Sequence, residues 1–269
     1  MNAPANSDVG SLQRWAPRQL ADYDSRQPGT LFSDGVTLNL QQAYELQSAV
    51  ARLRCERGEG IIGYKVGCTS PTIRSQLGID HCISGRLYDS EQHNSGTELR
   101  RREFANLAIE GELAVELAHE PNENDFTDGI IPGCVARVFP VIELHNHVMR
   151  GELPSASELI ANNAINAGFV GGDGVTREDL STEELLNSAT LSIFSNDRLL
   201  DHCSGRELIQ TITSSLKWLA ASLQGRGEHL QPGEVILTGS IPSLIPIVED
   251  CVVRVDAPPF GVVEATFIT

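Results

Sequence analysis

Between positions 108 and 117 the chain alternates with the two-residue period of a strand. Ile109, Leu113, Val115 and Leu117 fall on one face, Glu110 and Glu112 on the other. Gly111 leaves the apolar face thin and predicts that another segment comes close there. An unbroken apolar run over 138–144 reads as a buried strand that delivers Glu143 near its end. Shorter strands are predicted over 60–66, 87–89, 169–170, 235–237, 252–255 and 262–267. A hairpin joins 190–194 to 199–200 through Ser195-Asn196-Asp197. Helical spacing predicts a helix from Asn39, with Ala43, Leu46, Val50 and Leu53 on one face and Gly58 as its stop. Ser155-x-x-Glu158 has the form of a capping box and predicts a helix through Ala167. A long amphipathic helix carries Leu208, Ile212, Leu216, Leu219 and Leu223 and ends at Gly225.

Residues 1–36 show no sustained period and read as a loose arm with one short helix. The acidic stretch 120–128 reads as a solvated loop. Gly171-Gly172-Asp173-Gly174 lacks the Lys-Ser/Thr of a phosphate loop and reads as a turn. The order is helical first, then mostly strand with inserted helices. It predicts an α+β domain with a mixed, curled sheet and excludes the steady βαβ alternation of a Rossmann fold. Residues 1–58 form an N-terminal arm and helix, and 59–269 the main domain.

An apolar share of 41% over 269 residues supports a real core and excludes global disorder. The formal charge of −16 argues against nucleic acid or an anionic membrane as a partner, because like charges repel. Cys55, Cys68, Cys82, Cys134, Cys203 and Cys251 are scattered singly, the pattern of reduced thiols in a cytoplasmic protein. Neither a signal peptide nor a membrane span is expected.

The chemistry concentrates on the two strands. Glu110, Glu112 and Glu143 either form a solvated acidic face or converge in the interior. Convergence is prohibitively costly unless a cation sits between them. Three hard oxygen donors suit Mg²⁺ or Mn²⁺. Lys65, the only charge between Gly60 and Ser70, holds a substrate oxygen, acts as an acid, or marks a strand edge. Thr238-Gly239-Ser240, after the strand at 235–237, is either an ordinary turn or a backbone anion site. His145 can share the face of Glu143. It and His147 are open to roles as acid–base group, extra ligand or structural histidine. Asp201-His202-Cys203 is discounted as a nucleophile set, since sequence neighbours on a strand face apart.

Several motifs occur in order: Gly63-Tyr64-Lys65-Val66-Gly67-Cys68-Thr69-Ser70, Gln76-Leu77-Gly78, Gly85-Arg86-Leu87, Ile109-Glu110-Gly111-Glu112, Val141-Ile142-Glu143, Ala161-Asn162-Asn163-Ala164 and Leu237-Thr238-Gly239. Together, from about Thr37 to Thr269, the chain resembles the 2-keto-4-pentenoate hydratase and 4-oxalocrotonate decarboxylase family of the fumarylacetoacetate hydrolase superfamily. The resemblance implies a mixed β-sheet roll or sandwich with flanking helices, and a homo-oligomer. It implies a divalent metal, Mg²⁺ or Mn²⁺, on Glu110, Glu112 and Glu143. It also implies a catalytic Lys65, with Leu87, Asn163, Thr238 and Gly239 contacting a small 2-oxo acid. The implied activity is that of a lyase, a hydratase or decarboxylase working through a metal-stabilised enolate.

Departures from the family pattern are specific. Ile83 stands where hydratases carry an Asp, as in decarboxylases. Asn162-Asn163 replaces Asp-Asn, Val148 replaces an Arg, and Gln210-Thr211-Ile212 replaces Gly-His-Pro. The metal pattern is intact while the substrate shell is rewritten. Two other readings stay open: hydrolysis of a C–C bond in an acylpyruvate or 1,3-diketone, and a non-catalytic partner subunit. The first needs a His/Glu pair on a lid, and the region before Gly60 has no His.

Overall fold

The computed structural model describes residues 9–26, 30–126, 131–146, 154–180 and 186–269. Two helices come first, α1 (Val9–Asp24) and α2 (Leu40–Glu56). Asn39 caps α2: its side chain accepts from the Gln42 amide while the Gln42 side chain accepts from the Asn39 amide. The arm expected to hold one short helix is instead helical for 16 residues, with Pro17 inside. The reason is tertiary: Ala16 is buried in a cluster with Leu31, Ala43 and Leu46, so packing on α2 overrides weak local periodicity.

The strands follow: β1 (Ile61–Gly67), α3 (Pro71–Leu77), β2 (Ile83–Tyr88), β3 (Gln92–Asn94), β4 (Thr97–Arg100), β5 (Ala108–Leu117) and β6 (Val135–His145). Next come α4 (Ala156–Ala161), β7 (Asn166–Gly171), β8 (Val175–Thr176), β9 (Thr190–Ser195) and β10 (Arg198–Ser204). The chain closes with α5 (Arg206–Gln224), β11 (Val235–Leu237), β12 (Ile245–Pro246), β13 (Cys251–Asp256) and β14 (Val262–Ile268). A nine-stranded mixed sheet runs β2-β1-β11-β5-β6-β7-β3, with β12 on β5 and β8 on β6. A five-stranded sheet runs β10-β9-β13-β14-β4. The class is α+β.

The two faces of the larger sheet differ as the alternation on β5 requires. Ile109, Leu113, Val115 and Leu117 join one large core with Ile193, Val253 and Val255 of the second sheet and all five predicted apolar positions of α5. Full burial of each such side chain stabilises by about 1.5–3 kcal/mol. Gly111 is where the sheets meet. A Cβ there would lie 2.7 Å from Ile193 Cδ1 and 3.1 Å from Val255 Cγ2, the close approach that its position in the strand predicts. On the opposite face, Leu87, Ala114, Phe139, Val141, Phe169, Val235 and Leu237 form a smaller cluster. Glu110, Glu112 and Glu143 lie beyond one end of it on the same face.

The helix predicted through Ala167 ends at Ala161. Asn163, Ala164 and Ile165 then take positive φ angles of 55°, 50° and 58°, a left-handed run that is costly for residues with a Cβ and worst for β-branched Ile165. A side-chain clasp holds it. Asn163 Oδ1 accepts from the Arg86 amide at 2.7 Å, and its Nδ2 donates to the Arg86 carbonyl at 2.8 Å. Gly85 makes room, since a Cβ there would lie 2.3 Å from the Asn163 carbonyl oxygen. The hairpin is as predicted, with Asn196 and Asp197 both at positive φ between β9 and β10.

Candidate metal centre

Antiparallel pairing sets Glu110 directly across from Glu143, with Glu112 two positions along β5. Like charges opposite one another in a ladder repel, and water does little to screen these: Glu143 is 0% and Glu112 1% exposed, while the Glu110 side chain keeps 21%. The solvated-face reading is therefore excluded by burial. Lys65 reaches over from β1, with β11 and β5 lying between it and β6, and its Nζ lies 3.2 Å from Glu143 Oε1. Asn166 Nδ2 donates to that same oxygen at 2.8 Å, while its Oδ1 accepts from the Gly168 amide at 3.0 Å. Glu112 Oε2 accepts from the Gly239 amide at 2.9 Å. Gly239 takes φ 95°, and a Cβ there would meet Thr69 Cγ2 at 2.4 Å, so the position suits glycine twice over.

His145, 1% exposed, closes the cluster. Its Nε2 lies 3.2 Å from Glu110 Oε2 and 3.8 Å from Glu143 Oε2. Donor atoms of Glu110, Glu143 and His145 all fall within 4.8 Å of one another. His147 and Val148 lie outside the described residues.

The charge does not balance with protein groups alone. Burial favours a neutral lysine, but Glu143, Glu110 and Glu112 together hold Lys65 above its ordinary pKa, so it stays protonated. Burial also works against the Glu110 carboxylate; His145 and Lys65 nevertheless hold its pKa below the ordinary value. Glu112 goes the other way. Burial first, then Glu143 and Glu110, push it well above an ordinary carboxylate. Glu112 Oε1, Glu143 Oε2 and both ring nitrogens of His145 are buried with no hydrogen-bond partner. Unpaired carboxylate oxygens packed beside an imidazole, with one carboxyl that resists ionising, suit a cation placed among them. The donor set fits a divalent metal.

A cavity of about 490 Å³ opens beside this cluster. Lys65, Glu110 and His145 line it, with Thr69, Ser70 and Ser240 as hydroxyls and Ile83, Ile165 and Leu244 as apolar wall. The other sequence candidates sit differently. Leu87 is fully buried among Phe139, Phe169 and Leu237 and is not brought to the cavity. Asn163 spends its side chain on the β2 backbone, although the next two residues line the cavity. Thr238 is buried, and its hydroxyl donates to the Leu113 carbonyl at 2.7 Å, so it fastens β11 to β5. Asp201, His202 and Cys203 lie on β10, where His202 Nδ1 contacts Ser192 Oγ at 2.9 Å and Asp201 Oδ2 accepts from the Ser243 amide.

Sequence reasoning missed Asn166 and the 241–244 segment of the wall. An Asn opening an otherwise apolar strand is the one signal that pointed to Asn166, as a buried amide needs a polar partner.

No family model matches the chain. It is 25% identical over 225 residues to a 2-keto-4-pentenoate hydratase of Burkholderia vietnamiensis, covering 84% of this chain and 85% of that one. It is also 25% identical over 237 residues to a 4-oxalocrotonate decarboxylase of Pseudomonas putida, covering 88% of each. Among solved structures it superposes on 4-oxalocrotonate decarboxylase from Pseudomonas putida G7, complexed with magnesium and adipate. The TM-score is 0.85 at 24% identity, over 97% of this chain and 98% of that one. Fumarylpyruvate hydrolase from Pseudomonas aeruginosa, in complex with Mn²⁺ and pyruvate, is more distant, with a TM-score of 0.59 at 13% identity over 76% and 88% of the two chains. The chain is a divergent homologue of the 2-keto-4-pentenoate hydratases and 4-oxalocrotonate decarboxylases, and it has the fold of the latter.

Proposed function

We propose that this protein is a divalent-metal-dependent lyase acting on a small 2-oxo or 2-hydroxydienoate acid, of the hydratase or decarboxylase type. The observation that carries the reading is the group of Glu110, Glu112 and Glu143, with Glu112 Oε1 and Glu143 Oε2 buried and unpaired, beside a cavity that Glu110 lines together with Lys65 and His145. Glu110, Glu112 and Glu143 would hold Mg²⁺ or Mn²⁺. When bound, such an ion supplies Lewis acidity that favours the enolate form of a 2-oxo acid.

The protein's own groups do the rest. Lys65, whose Nζ lies 3.2 Å from Glu143 Oε1 and which lines the cavity, donates a hydrogen bond to a substrate oxygen as charge develops on it. Asn166 fixes the Glu143 carboxylate and the Gly239 amide fixes that of Glu112, so neither has to reorganise. Ser70 offers a hydroxyl for a substrate carboxylate, those of Thr69 and Ser240 being donated to the Ser240 and Pro242 carbonyls, and Ile83, Ile165 and Leu244 form a dry wall for its carbon chain. We take residues 59–269 as a roll of the fumarylacetoacetate hydrolase type and 1–58 as its helical cover, a division supported by the packing of α1 and α2 on one another and on α4. Free thiols at all six cysteines favour a reducing, cytoplasmic setting. Among the described residues no helix is long and apolar enough to cross a membrane.

The test is calorimetric titration of Mn²⁺ into metal-stripped protein beside its Glu112→Gln variant, followed by product analysis with 2-oxo-4-pentenoate, 2-hydroxydienoates and their diacid analogues. Saturable binding lost in the variant, with turnover of a 2-oxo acid, is the expected result. Absence of metal binding by the wild type would sink the reading.

A further inference from the structure

Resting on the metal-dependent reading above, we propose that His145 is itself a metal ligand, making this a mixed nitrogen–oxygen centre that takes a borderline first-row cation such as Co²⁺ in preference to Mg²⁺. Three observations converge. His145 is 1% exposed, yet its Nε2 has no hydrogen-bond partner, an arrangement that costs about 1–3 kcal/mol unless something else fills it. Its Nε2 faces two carboxylate oxygens, Glu110 Oε2 at 3.2 Å and Glu143 Oε2 at 3.8 Å. The second of these is also unpartnered. Donors about 2.1 Å from one ion stand about 3 Å apart when adjacent and about 4.2 Å apart when opposite. Both separations fall within that window.

The protein fold supplies the placement. His145 is two residues beyond Glu143 on β6 and pairs with Ala108, two before Glu110 on β5, so imidazole and carboxylates emerge on one face at successive register positions. Glu112 is not part of the cluster within 4.8 Å; its Oε2 accepts from the Gly239 amide and its Oε1 is unpartnered. A neutral imidazole in place of a fourth oxygen lowers the negative charge of the site and softens it. Mg²⁺, which prefers carboxylate and water, gains little from that nitrogen, whereas affinity for N-donors rises from Mn²⁺ to Co²⁺.

Metal-stripped wild type and His145→Ala would be titrated calorimetrically with Co²⁺ and with Mg²⁺. Pulsed EPR of the Mn²⁺-loaded wild type, with and without ¹⁵N-histidine labelling, would report directly bound nitrogen. We expect nitrogen hyperfine coupling that changes with the isotope, and a Co²⁺:Mg²⁺ affinity ratio that falls about tenfold or more in the variant. Mn²⁺ bound by the wild type without nitrogen coupling would overturn the ligand assignment and leave the lyase reading standing. An unchanged affinity ratio in a folded variant would do the same. Failure of the wild type to bind any of the three ions would overturn both.

Discussion

Glu112 sets a conflict between stability and metal binding that a single isosteric change should expose. Glu112→Gln keeps the side-chain volume and can still accept the Gly239 amide hydrogen bond, but it removes a charge facing Glu143 and Glu110 in the interior. A carboxyl whose pKa is raised on folding holds its proton more tightly in the native state. Its contribution to stability is then complete below the unfolded value of 4.5 and is lost as pH rises through the higher folded value. In chelator at pH 8 the variant should therefore be more stable than wild type. With one buried oxygen unpaired, relief of about 1–2 kcal/mol is expected. For a chain of this length that is a rise in Tm of roughly 2–8 °C. Near pH 4, below the unfolded value of 4.5, Glu112 is mostly protonated in both the folded and the unfolded state, and the two proteins should melt close together. Added Mn²⁺ should reverse the order: at a hundredfold excess over Kd the wild type gains about 2.7 kcal/mol and the variant nothing. Thermal unfolding followed by circular dichroism in these three conditions is the assay. A variant no more stable than wild type at pH 8 in chelator, or one stabilised by Mn²⁺ as much as wild type, would refute the reasoning.

Lys65→Met should cut turnover by about a hundredfold or more with Mn²⁺ affinity retained, since it removes the protonated donor and not a ligand; steady-state kinetics beside calorimetry would check it. Gly111→Ala should destabilise by about 1–3 kcal/mol, because the added Cβ would sit 2.7 Å from Ile193 Cδ1 in a packed sheet interface; a denaturant midpoint unchanged from wild type would contradict that packing. Burial opposes ionisation of Glu59, yet hydrogen bonds from Arg54, Ser90 and Arg57 pull its pKa down to about 2. Its contribution, about 1–2 kcal/mol once solvent screening is allowed for, is present above pH 4.5 and lost as pH falls through about 2. Glu59→Gln should flatten the acid limb of the stability curve.

What was legible in the sequence had a short physical range. The period of two on β5 placed Glu110 and Glu112 opposite Ile109 and Leu113 without any knowledge of neighbours, and the apolar run of β6 carried Glu143 to the same end. The spacing of Leu208 to Leu223 likewise named the buried stripe of α5. Features that depend on distant partners were hidden. Helix α1 forms because Ala16 and Gln19 pack on α2 and Asn162, far along the chain. The helix at Ser155 stops short because Asn163 is claimed by the backbone of Arg86. Thr238 and Gly239 looked like a substrate anchor. Their polar groups instead tie β11 to β5 and hold Glu112, a use that only the strand order reveals. Leu87 matched a motif but faces the core.

The Asn163 clasp bears on how the molecule behaves at high concentration. Strand β2 is the last of its sheet, and the Arg86 amide and carbonyl point outward from it. Such a free ladder edge invites another chain to add a strand. A primary amide offers one donor and one acceptor side by side, the same pair that a neighbouring strand would present, so Asn163 terminates the ladder without extending it. The left-handed turn behind it then stands where an incoming strand would have to lie. The left-handed run at Asn163, Ala164 and Ile165 thus closes the β2 edge to strand addition at Arg86 with a single side chain.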